Sequence, residues 1–312
     1  MNIATIDIGT NTVIGLDVKC GEAGVERVRD WMEIVRLGEG LDKTGRLGKK
    51  GMGRALGALG RIVEDLKGKQ IAPVDRLAVV ATEAVRKAEN AEEFLGRARE
   101  ILGVEVEVID GEREARLSWI ATSRSIPARG EKRTVLDIGG GSTELIVGPA
   151  NADVAARAIS MPIGSVRLTE RILKSDVPTS EEKAELVRVI DGVLATSVEL
   201  EGDLVGIAGT VTTICAIALE MDAYDAEIVH GRVIGKAEVS EVVEWLGTMN
   251  AEERRQVKGL DPKRADVIYA GGVILQRVMA RAGVEELTVS DRGIRWGLAY
   301  EIAEREMGRR LS

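Results

Sequence analysis

The stretch LDIGGGSTELIVG, from Leu136 to Gly148, places three consecutive glycines between two apolar segments. Glycine loses more backbone entropy on folding than any other residue, so three in a row indicate a turn with unusual dihedral angles or a close approach to bare main chain. Asp137 precedes this turn, Ser142 and Thr143 follow it, and Glu144 comes next. The turn therefore gathers backbone N–H groups, two hydroxyls and two carboxylates.

Two interpretations of this turn fit the residues, a plain hairpin and a phosphate site. Nests of backbone N–H groups and hydroxyls bind phosphate oxygens. Two hard carboxylates suit Mg²⁺, whose shell is usually completed by water and substrate phosphate. Asp137 and Glu144 are the candidate carboxylates, and the glycines and hydroxyls between them are the candidate phosphate donors.

A second copy of this pattern lies near the start of the chain. TIDIGTNTVIGLDV (Thr5 to Val18) is similar to TVLDIGGGSTELIVG (Thr134 to Gly148), and each contains a strand, Asp-Ile-Gly, a short polar turn and a second strand. Two such hairpins about one domain length apart predict a duplicated α/β unit with two phosphate-facing loops. We expect these loops to face each other across a cleft.

The remaining chain alternates between strand and helix patterns. The sequence predicts strands at LAVVA (Leu77 to Ala81) and VEVEVI (Val104 to Ile109), and helices at Lys50–Lys67, Ala91–Leu102, Gly111–Ser123, Glu181–Glu199, Thr210–Glu220, Val239–Thr248, Ala265–Ala282 and Gly293–Glu306. The segment from Ser123 to Arg133 is polar and contains Pro and Gly, which is typical of a domain boundary. We therefore predict two domains, residues 1–124 and residues 125–312.

A third glycine turn occurs in VGIAGTVTT, from Val205 to Thr213. A strand enters Gly209 and Thr210, and a helix follows, so the free N–H groups at the helix start are suited to an anion. Simple packing of a strand against a helix explains the same residues equally well. Neither a P-loop nor a complete G-x-G-x-x-G motif occurs in the chain.

Composition excludes several classes of protein. The chain has 312 residues, 45% hydrophobic content and a net charge of −8, which predicts a globular protein and argues against a nucleic-acid coat. Its two cysteines, Cys20 and Cys215, provide no disulfide framework, and the single His230 excludes a histidine-rich metal site. No signal peptide and no apolar span of sufficient length are found, so we expect a cytoplasmic protein with no membrane partner.

The ordered motifs resemble a known family over nearly the whole chain. They are DIGTNT, RLGEGL, ATEAVRKAEN, DGEREARL, DIGGGSTE, GIAGTVTT, VHG, RADVIYAGGVIL and VSDRGIRWG. This set is similar to the short, two-domain form of the exopolyphosphatase/guanosine pentaphosphate phosphatase (Ppx/GppA) family. The resemblance implies a two-domain α/β fold of the actin, Hsp70 and sugar-kinase (ribonuclease H-like) type, with the site in an interdomain cleft. It also implies removal of the terminal phosphate from a phosphoanhydride chain.

The resemblance assigns roles to individual residues. It implies that Glu114 is the general base, that Arg86 clamps phosphate, and that Asp137 and Glu144 hold a divalent cation such as Mg²⁺. The phosphate-binding residues that it implies are Asp7, Gly9, Thr10 and Asn11 in the first loop, Gly139, Gly140, Gly141, Ser142 and Thr143 in the second, Gly209 and Thr210 in the third, and Arg295 near the substrate.

Two positions depart from the family pattern. Trp296 stands where glutamate is common, and Arg113 stands where a second acid is common beside the base. The departure at Trp296 leaves open how the substrate is held, and the departure at Arg113 could adjust the basicity of Glu114. Taken singly, Glu114 is also explained as an acid at a helix N-terminus, and Arg86 as a surface ion pair.

The roles fit the chemistry of hydrolysis, because attack of water on a polyanion needs a base, a metal and donors that hold the chain. The leading hypothesis is an exopolyphosphatase, and its close rival is a guanosine pentaphosphate 5′-phosphohydrolase. An actin-like kinase and a non-catalytic nucleotide-binding switch are alternatives from other classes. The family also suggests a homodimer. The net charge of −8 argues against an extended basic channel and therefore predicts a preference for short polyphosphates.

Overall fold

A computed structural model describes residues 1–22, 24–68 and 73–311. Contacts divide the chain into two compact units, each with its own sheet. The first unit contains Met1–Ser125 and the residues from Gly293 onward, and the second contains Ile126–Arg292.

The first unit is built on a mixed sheet. Among its described residues the strands are β1 (Asn2–Ile8), β2 (Thr12–Gly21), β3 (Gly24–Ile34), β4 (Arg76–Ala81) and β5 (Val106–Val108), in the order β3-β2-β1-β4-β5. The first three strands form an antiparallel meander, whereas β4 lies parallel to β1 and β5 lies parallel to β4. The loop between β1 and β2 follows the pairing of Ile8 with Val13 and therefore projects from one end of the sheet.

Helices cover both faces of this sheet. Those that precede the second unit in the chain are α1 (Leu41–Thr44), α2 (Lys49–Leu66), α3 (Glu83–Lys87), α4 (Ala91–Leu102) and α5 (Gly111–Ser125). Because side chains alternate along a strand, Ile6 and Ile8 of β1 pack in one core with Leu59 of α2, while Ile3 packs in a second core with Leu117 of α5.

The second unit repeats the same arrangement. Its described strands are β6 (Lys132–Ile138), β7 (Thr143–Pro149), β8 (Arg157–Met161), β9 (Asp203–Ile207), β10 (Val233–Gly235) and β11 (Glu286–Val289), in the order β10-β11-β9-β6-β7-β8. Again a three-strand antiparallel meander is followed by a strand, β9, that lies parallel to the first strand of the meander. Asp7 pairs with Ile14 in one hairpin and Asp137 with Glu144 in the other, which confirms the duplication predicted from the sequence.

The helices of the second unit enclose its own apolar core. They are α6 (Ser165–Ile172), α7 (Ser180–Leu194), α8 (Ala208–Ala218), α9 (Ala226–Val229), α10 (Lys236–Leu246), α11 (Ala251–Arg254) and α12 (Ile268–Ala282), with a 3₁₀ turn at Pro262–Arg264 before α12. Leu136 of β6, Leu145 of β7 and Ile274 of α12 belong to one buried cluster.

The last helix, α13 (Ile294–Met307), belongs to the first unit, which corrects the expectation that the second domain runs from 125 to 312. Tyr300 of α13 is fully buried in the core that contains Ile3. Gly297 permits the close packing of α13 on α5, because a Cβ at this position would lie 2.0 Å from the Leu117 carbonyl oxygen. The polar segment at 123–133 marks one passage between the units, but the return at Gly293 has no such composition.

Most predicted helices lie where expected, with shifted ends. The helix predicted at Glu181–Glu199 ends at Leu194, because the hydroxyls of Thr196 and Ser197 donate to carbonyls of the last turn and compete with its continuation. The third meander strands, β3 and β8, and helix α6 were not predicted. Across the described residues, no helix combines the length and apolar character needed to cross a bilayer.

Candidate active site

The first loop lies at the end of the β1–β2 hairpin and contains Gly9, Thr10 and Asn11. The Gly9 N–H donates to the Thr12 carbonyl at 2.8 Å and closes the turn. Asp7 lies two residues before the turn, within β1. The structure therefore gathers the predicted first phosphate loop in one place.

Asp7 has an unusual environment. Its Oδ1 is buried and has no hydrogen-bond partner among the described residues. Desolvation raises the pKa of Asp7 to about 7, against the opposing charge of Arg295. Thr5, which lies on β1 with Asp7, donates a 2.8 Å hydrogen bond from its hydroxyl to the Arg295 carbonyl. Since a bare carboxylate repels phosphate, this site fits either a protonated Asp7 or a cation beside it.

Arg86 and Glu114 form the second element of the site. Arg86 lies on α3, just after β4, and its Nη1 donates to the Ile109 carbonyl at 2.5 Å. The same nitrogen lies 3.7 Å from Oε2 of Glu114, in the first turn of α5. Glu114 is only 7% exposed. The structure thus brings together the predicted base and the predicted phosphate clamp, which are 28 positions apart in number.

The start of α5 fixes the position of Glu114. Asp110 accepts hydrogen bonds through its side chain from the Arg113 N–H at 2.8 Å and through its carbonyl from the Glu114 N–H at 3.0 Å. The Arg113 guanidinium binds Glu301 of α13 through two hydrogen bonds. Arg113, one of the two departures from the family pattern, is therefore a link between helices.

The second departure, Trp296, is part of the core of the first unit. Its side chain is 2% exposed, and its ring centroid lies 5.9 Å from that of Tyr300. A buried indole at this position packs α13 against its neighbours. The neighbouring Arg295 carries the charge that acts on Asp7.

Asp137 and Glu144 lie directly opposite each other in the β6–β7 pair. Opposed residues of an antiparallel pair have side chains on the same face, a few ångströms apart. Both carboxylates are buried, at 7% and 3% exposed. Glu144 Oε1 accepts hydrogen bonds from Ser142 at 2.7 Å and from Ser160 at 2.6 Å. Two hydroxyls thus fix the orientation of the Glu144 carboxylate.

This donor set fits a divalent cation. Two neighbouring buried carboxylates are costly in the charged form without a compensating cation. Within the described ranges, no group of three or more His, Cys, Asp or Glu side chains forms a metal site. A metal held by Asp137 and Glu144 would therefore take its other ligands from water and substrate, as Mg²⁺ commonly does. Ser160, which the sequence did not single out, faces Glu144 in the β7–β8 register.

In the second loop, backbone N–H groups are better placed to bind a ligand than the side-chain hydroxyls are. The Gly139 N–H closes the turn on the Ser142 carbonyl at 3.0 Å. Thr143 is fully buried, and its hydroxyl donates to the Ile163 carbonyl at 2.6 Å. Because the hydroxyls of Ser142 and Thr143 both donate within the protein, the backbone N–H groups at Gly140 and Gly141 are the stronger candidates for phosphate.

At the third turn, the structure adds Arg264, a residue that the sequence did not single out for the site. Ala208 begins α8 with a left-handed φ of 65°, and Gly209 and Thr210 follow in its first turn. A Cβ at Gly209 would lie 2.0 Å from Nη1 of Arg264, so the guanidinium rests directly on the glycine. A helix N-terminus and a guanidinium at the same point suit an anion. In the sequence, Arg264 belongs to a basic cluster with Arg254, Arg255, Lys258 and Lys263, which does not by itself indicate a site.

Known proteins are similar to this chain over most of its length. The model of the Ppx/GppA phosphatase family matches residues 19–306. Exopolyphosphatase 2 of Mycobacterium tuberculosis is 36% identical in an alignment of 320 positions, gaps included, that covers 96% of this chain and 98% of that protein. Guanosine-5′-triphosphate,3′-diphosphate pyrophosphatase of Vibrio atlanticus is 29% identical over 96% of this chain and 59% of its own length.

Solved structures agree in fold. The Ppx/GppA family member of Aquifex aeolicus superposes with a TM-score of 0.82 at 32% identity, over 98% of each chain. An exopolyphosphatase of Cytophaga hutchinsonii gives a TM-score of 0.88 at 25% identity, also over 98% of each chain. These similarities confirm the predicted two-domain, actin-like α/β fold. The chain belongs to the Ppx/GppA phosphatase family and is a hydrolase.

Proposed function

We propose that this protein is a divalent-metal-dependent exopolyphosphatase that releases orthophosphate from the end of inorganic polyphosphate. The observation that carries the proposal is the buried Glu114 beside Arg86, which pairs a base with an anion-binding cation. The 36% identity to an exopolyphosphatase over nearly the full length of both chains supports the choice of substrate.

Each group has a defined part in the proposed reaction. Glu114 accepts a proton from water as the oxygen attacks the terminal phosphorus, and the anhydride bond to the rest of the chain breaks. Arg86 binds oxygens of the phosphate under attack. Asp137 and Glu144 would hold a divalent cation, which supplies positive charge against the phosphate oxygens. The N–H groups of the glycine loops hold phosphates of the chain.

The decisive experiment compares phosphate release from polyphosphate, guanosine pentaphosphate and ATP with Mg²⁺. Glu114→Gln keeps the shape of the side chain and removes the base, so kcat should fall by about 10²–10⁴-fold with little change in substrate affinity. Glu112→Gln, at an exposed position in the same helical turn, is the matched control and should retain activity. A normal kcat for Glu114→Gln would assign the base to another residue.

The second candidate function is the hydrolysis of guanosine pentaphosphate. It is favoured by the similarity to the Vibrio atlanticus enzyme, whose name gives that nucleotide class as its substrate. The same residues would serve both reactions, so the ratio of kcat/KM for the two substrates decides between them. Phosphate transfer from ATP only when an acceptor is present would instead indicate an actin-like kinase, and tight ATP binding without turnover a nucleotide-binding switch.

We further propose that the enzyme acts in the cytoplasm as a homodimer, without nucleic-acid or membrane partners. The support is the two cysteines, the net charge of −8 and the family resemblance. Light scattering at several concentrations measures the mass and tests the dimer.

A further inference from the structure

In both glycine hairpins, carbonyl oxygens of the turn accept hydrogen bonds from backbone N–H groups of a later segment of the chain. In the first unit, the N–H groups of Val35 and Arg36 both donate to the Asn11 carbonyl, at 2.8 and 2.9 Å. The Gly38 N–H donates to the Thr10 carbonyl at 2.9 Å. These donors come from residues 35–38, the first backing segment, which directly follows β3.

The second hairpin repeats the device. The Ser165 N–H donates to the Gly139 carbonyl at 3.0 Å, and the N–H groups of Val166 and Arg167 donate to the Gly140 carbonyl at 2.9 and 3.0 Å. Residues 164–167, the second backing segment, include the start of α6 and follow β8, the third strand of that meander. In both units, the segment that follows the third meander strand therefore supports the turn of the hairpin, with the accepting carbonyls offset by one position between the two repeats.

A glycine allows each backing segment to reach its loop. A Cβ at Gly38 would lie 2.5 Å from Cγ2 of Thr10, and a Cβ at Gly164 would lie 2.5 Å from the Gly140 carbonyl oxygen. Arg36 holds a left-handed φ of 49°, a conformation in which consecutive N–H groups converge on one acceptor. The backing contacts are therefore built into the backbone of both segments.

The hydrogen bonds to these carbonyls also fix the direction of the N–H groups on the opposite side of each loop. A trans peptide is planar, and its C=O and N–H bonds point in opposite directions. With the carbonyls of Thr10 and Asn11 directed at the backing segment, the N–H groups of Asn11 and Thr12 are directed away from it. The N–H groups of Gly140 and Gly141 are directed away from the second segment in the same manner. Neighbouring N–H groups aimed in one direction are the donors that an oxyanion needs.

An arginine side chain completes each support. Arg54 of α2 donates from Nε to the Val35 carbonyl at 2.7 Å and from Nη2 to the Arg36 carbonyl at 3.3 Å. Its Nη2 also lies 2.9 Å from a carboxylate oxygen of Glu39. Arg167 donates from Nε to the Gly141 carbonyl at 2.6 Å.

We infer that Arg54 and Arg167 are positioning residues that hold the two loops with their N–H donors set for phosphate oxygens of the substrate. This inference rests on the proposed function. Arg54 acts through the first backing segment, which gives a role to the RLGEGL motif, and Arg167 acts on the second loop itself. Neither arginine need touch the substrate.

The test compares Arg54→Gln with Arg61→Gln, a matched control on the same helix whose guanidinium binds the carboxylate of Glu33 at the surface. For the second loop, Arg167→Gln is compared with Arg171→Gln, at an exposed position of α6. Hydrogen exchange of the Val35, Arg36, Gly38 and Val166 amides measures the backing contacts directly. Steady-state kinetics with tripolyphosphate and calorimetry of tripolyphosphate binding measure their consequence.

We expect Arg54→Gln to speed exchange at Val35 and Arg36 by at least tenfold and to lower kcat/KM by about 10–100-fold, as misplaced binding groups do. Arg54→Lys should recover part of both, and the control variants should match the wild type. Unchanged exchange, or faster exchange with unchanged kcat/KM and tripolyphosphate affinity, would overturn the inference. If the wild type releases no phosphate, the proposed function fails, and exchange together with tripolyphosphate affinity still decides whether the support exists.

Discussion

Arg113 and Glu301 join α5 to the C-terminal helix through two hydrogen bonds of 2.5 and 2.6 Å between guanidinium and carboxylate. Both side chains are 23% exposed, so solvent screens the pair only in part. Arg113 is adjacent to the proposed base, Glu114. Arg113, one of the two residues that depart from the family pattern, thus anchors the first turn of α5 on α13.

Breaking this pair should destabilise the first unit. We expect Arg113→Gln to lower the free energy of unfolding by about 1–2 kcal/mol, between the values typical of exposed and buried ion pairs. The double variant with Glu301→Gln should lose little more than the single variant, because the two side chains share one interaction. Urea unfolding at pH 7 measures these energies. Arg99→Gln, in the exposed Arg99–Glu105 pair, is the control and should change stability by less than about 0.5 kcal/mol.

The same pair predicts a dependence on pH. Hydrogen bonding to Arg113 lowers the pKa of Glu301. A carboxyl whose pKa is lowered by folding contributes stability above its unfolded pKa, about 4.3, and loses that contribution as the pH falls through the folded value. The stability difference between wild type and Arg113→Gln should therefore shrink below about pH 4. A difference that stays constant from pH 7 to pH 3.5 would contradict the ionic basis of the contact.

Asp7 predicts the opposite trend. Its pKa is raised to about 7 by desolvation, so the folded protein binds this proton more tightly than the unfolded chain does. The folded state therefore loses stability as the pH rises from about 4 through 7, because the buried carboxyl must ionise. Asp7→Asn should be more stable than wild type by about 1–3 kcal/mol at pH 8 and nearly equal at about pH 3.5, below the unfolded pKa of the carboxyl. Equal stability at pH 8 would show that Asp7 ionises there without cost.

Ser160 should contribute to metal binding through Glu144. Residues that orient a metal ligand typically change metal affinity by about 10–100-fold. Ser160→Ala removes one of two hydroxyl donors to Oε1 of Glu144, so we expect Mg²⁺ binding, followed by calorimetry, to weaken by about tenfold. Ser197→Ala, which removes a hydroxyl bond to the Leu194 carbonyl, is the control. Unchanged affinity for Mg²⁺ in Ser160→Ala would leave that hydroxyl with a structural role alone.

The sequence predicted the elements whose pattern is local. The hairpins at Asp7 and Asp137 are visible because glycine turns between apolar strands have a short-range signature. The amphipathic helix at Ala91–Leu102 has the predicted bounds, since its apolar period and the following Gly103 define it. The candidate base Glu114 and clamp Arg86 came from motif resemblance, and only the fold could bring them within 3.7 Å.

The sequence could not predict features that depend on distant packing. The return of α13 to the first unit depends on packing such as that of Gly297 against the Leu117 carbonyl, a contact without a local signature. The edge strand β3 mixes charged and apolar residues, and its assignment depends on its pairing with β2. Ser160 and Arg264 gain meaning only from the β7–β8 register and from the turn at Gly209.

The sequence contains two basic clusters, a first one of Arg46, Lys49, Lys50 and Arg54 and a second one of Arg254, Arg255, Lys258, Lys263 and Arg264. Two residues of the first cluster have acidic partners. Arg46 lies 3.5 Å from Glu89, and Arg54 binds Glu39 as well as two backbone carbonyls. Exposed ion pairs contribute little stability, but they neutralise charge that would otherwise attract a polyanion. This cluster therefore offers less net positive charge than its sequence suggests.

The second cluster is similar. Arg254 is buried, with its guanidinium 5.3 Å from the Tyr269 ring centroid. Lys258 pairs with Asp222 at 2.9 Å, and Arg255 pairs with the neighbouring Glu252. The burial and pairing of these side chains weaken the case for an extended basic track along this surface.

These arrangements lead to a prediction about chain length, which rests on the proposed exopolyphosphatase activity. A processive enzyme must hold a long polyanion between turnovers, which requires persistent electrostatic attraction along the chain. With a net charge of −8 and paired basic clusters, we expect a distributive enzyme that favours short polyphosphates. Its kcat/KM should fall as ionic strength rises, because salt screens the remaining attraction. Digestion of mixed-length polyphosphate, resolved on a gel, should show a ladder of intermediates. Long chains degraded fully to phosphate while others stay intact would instead demonstrate processivity.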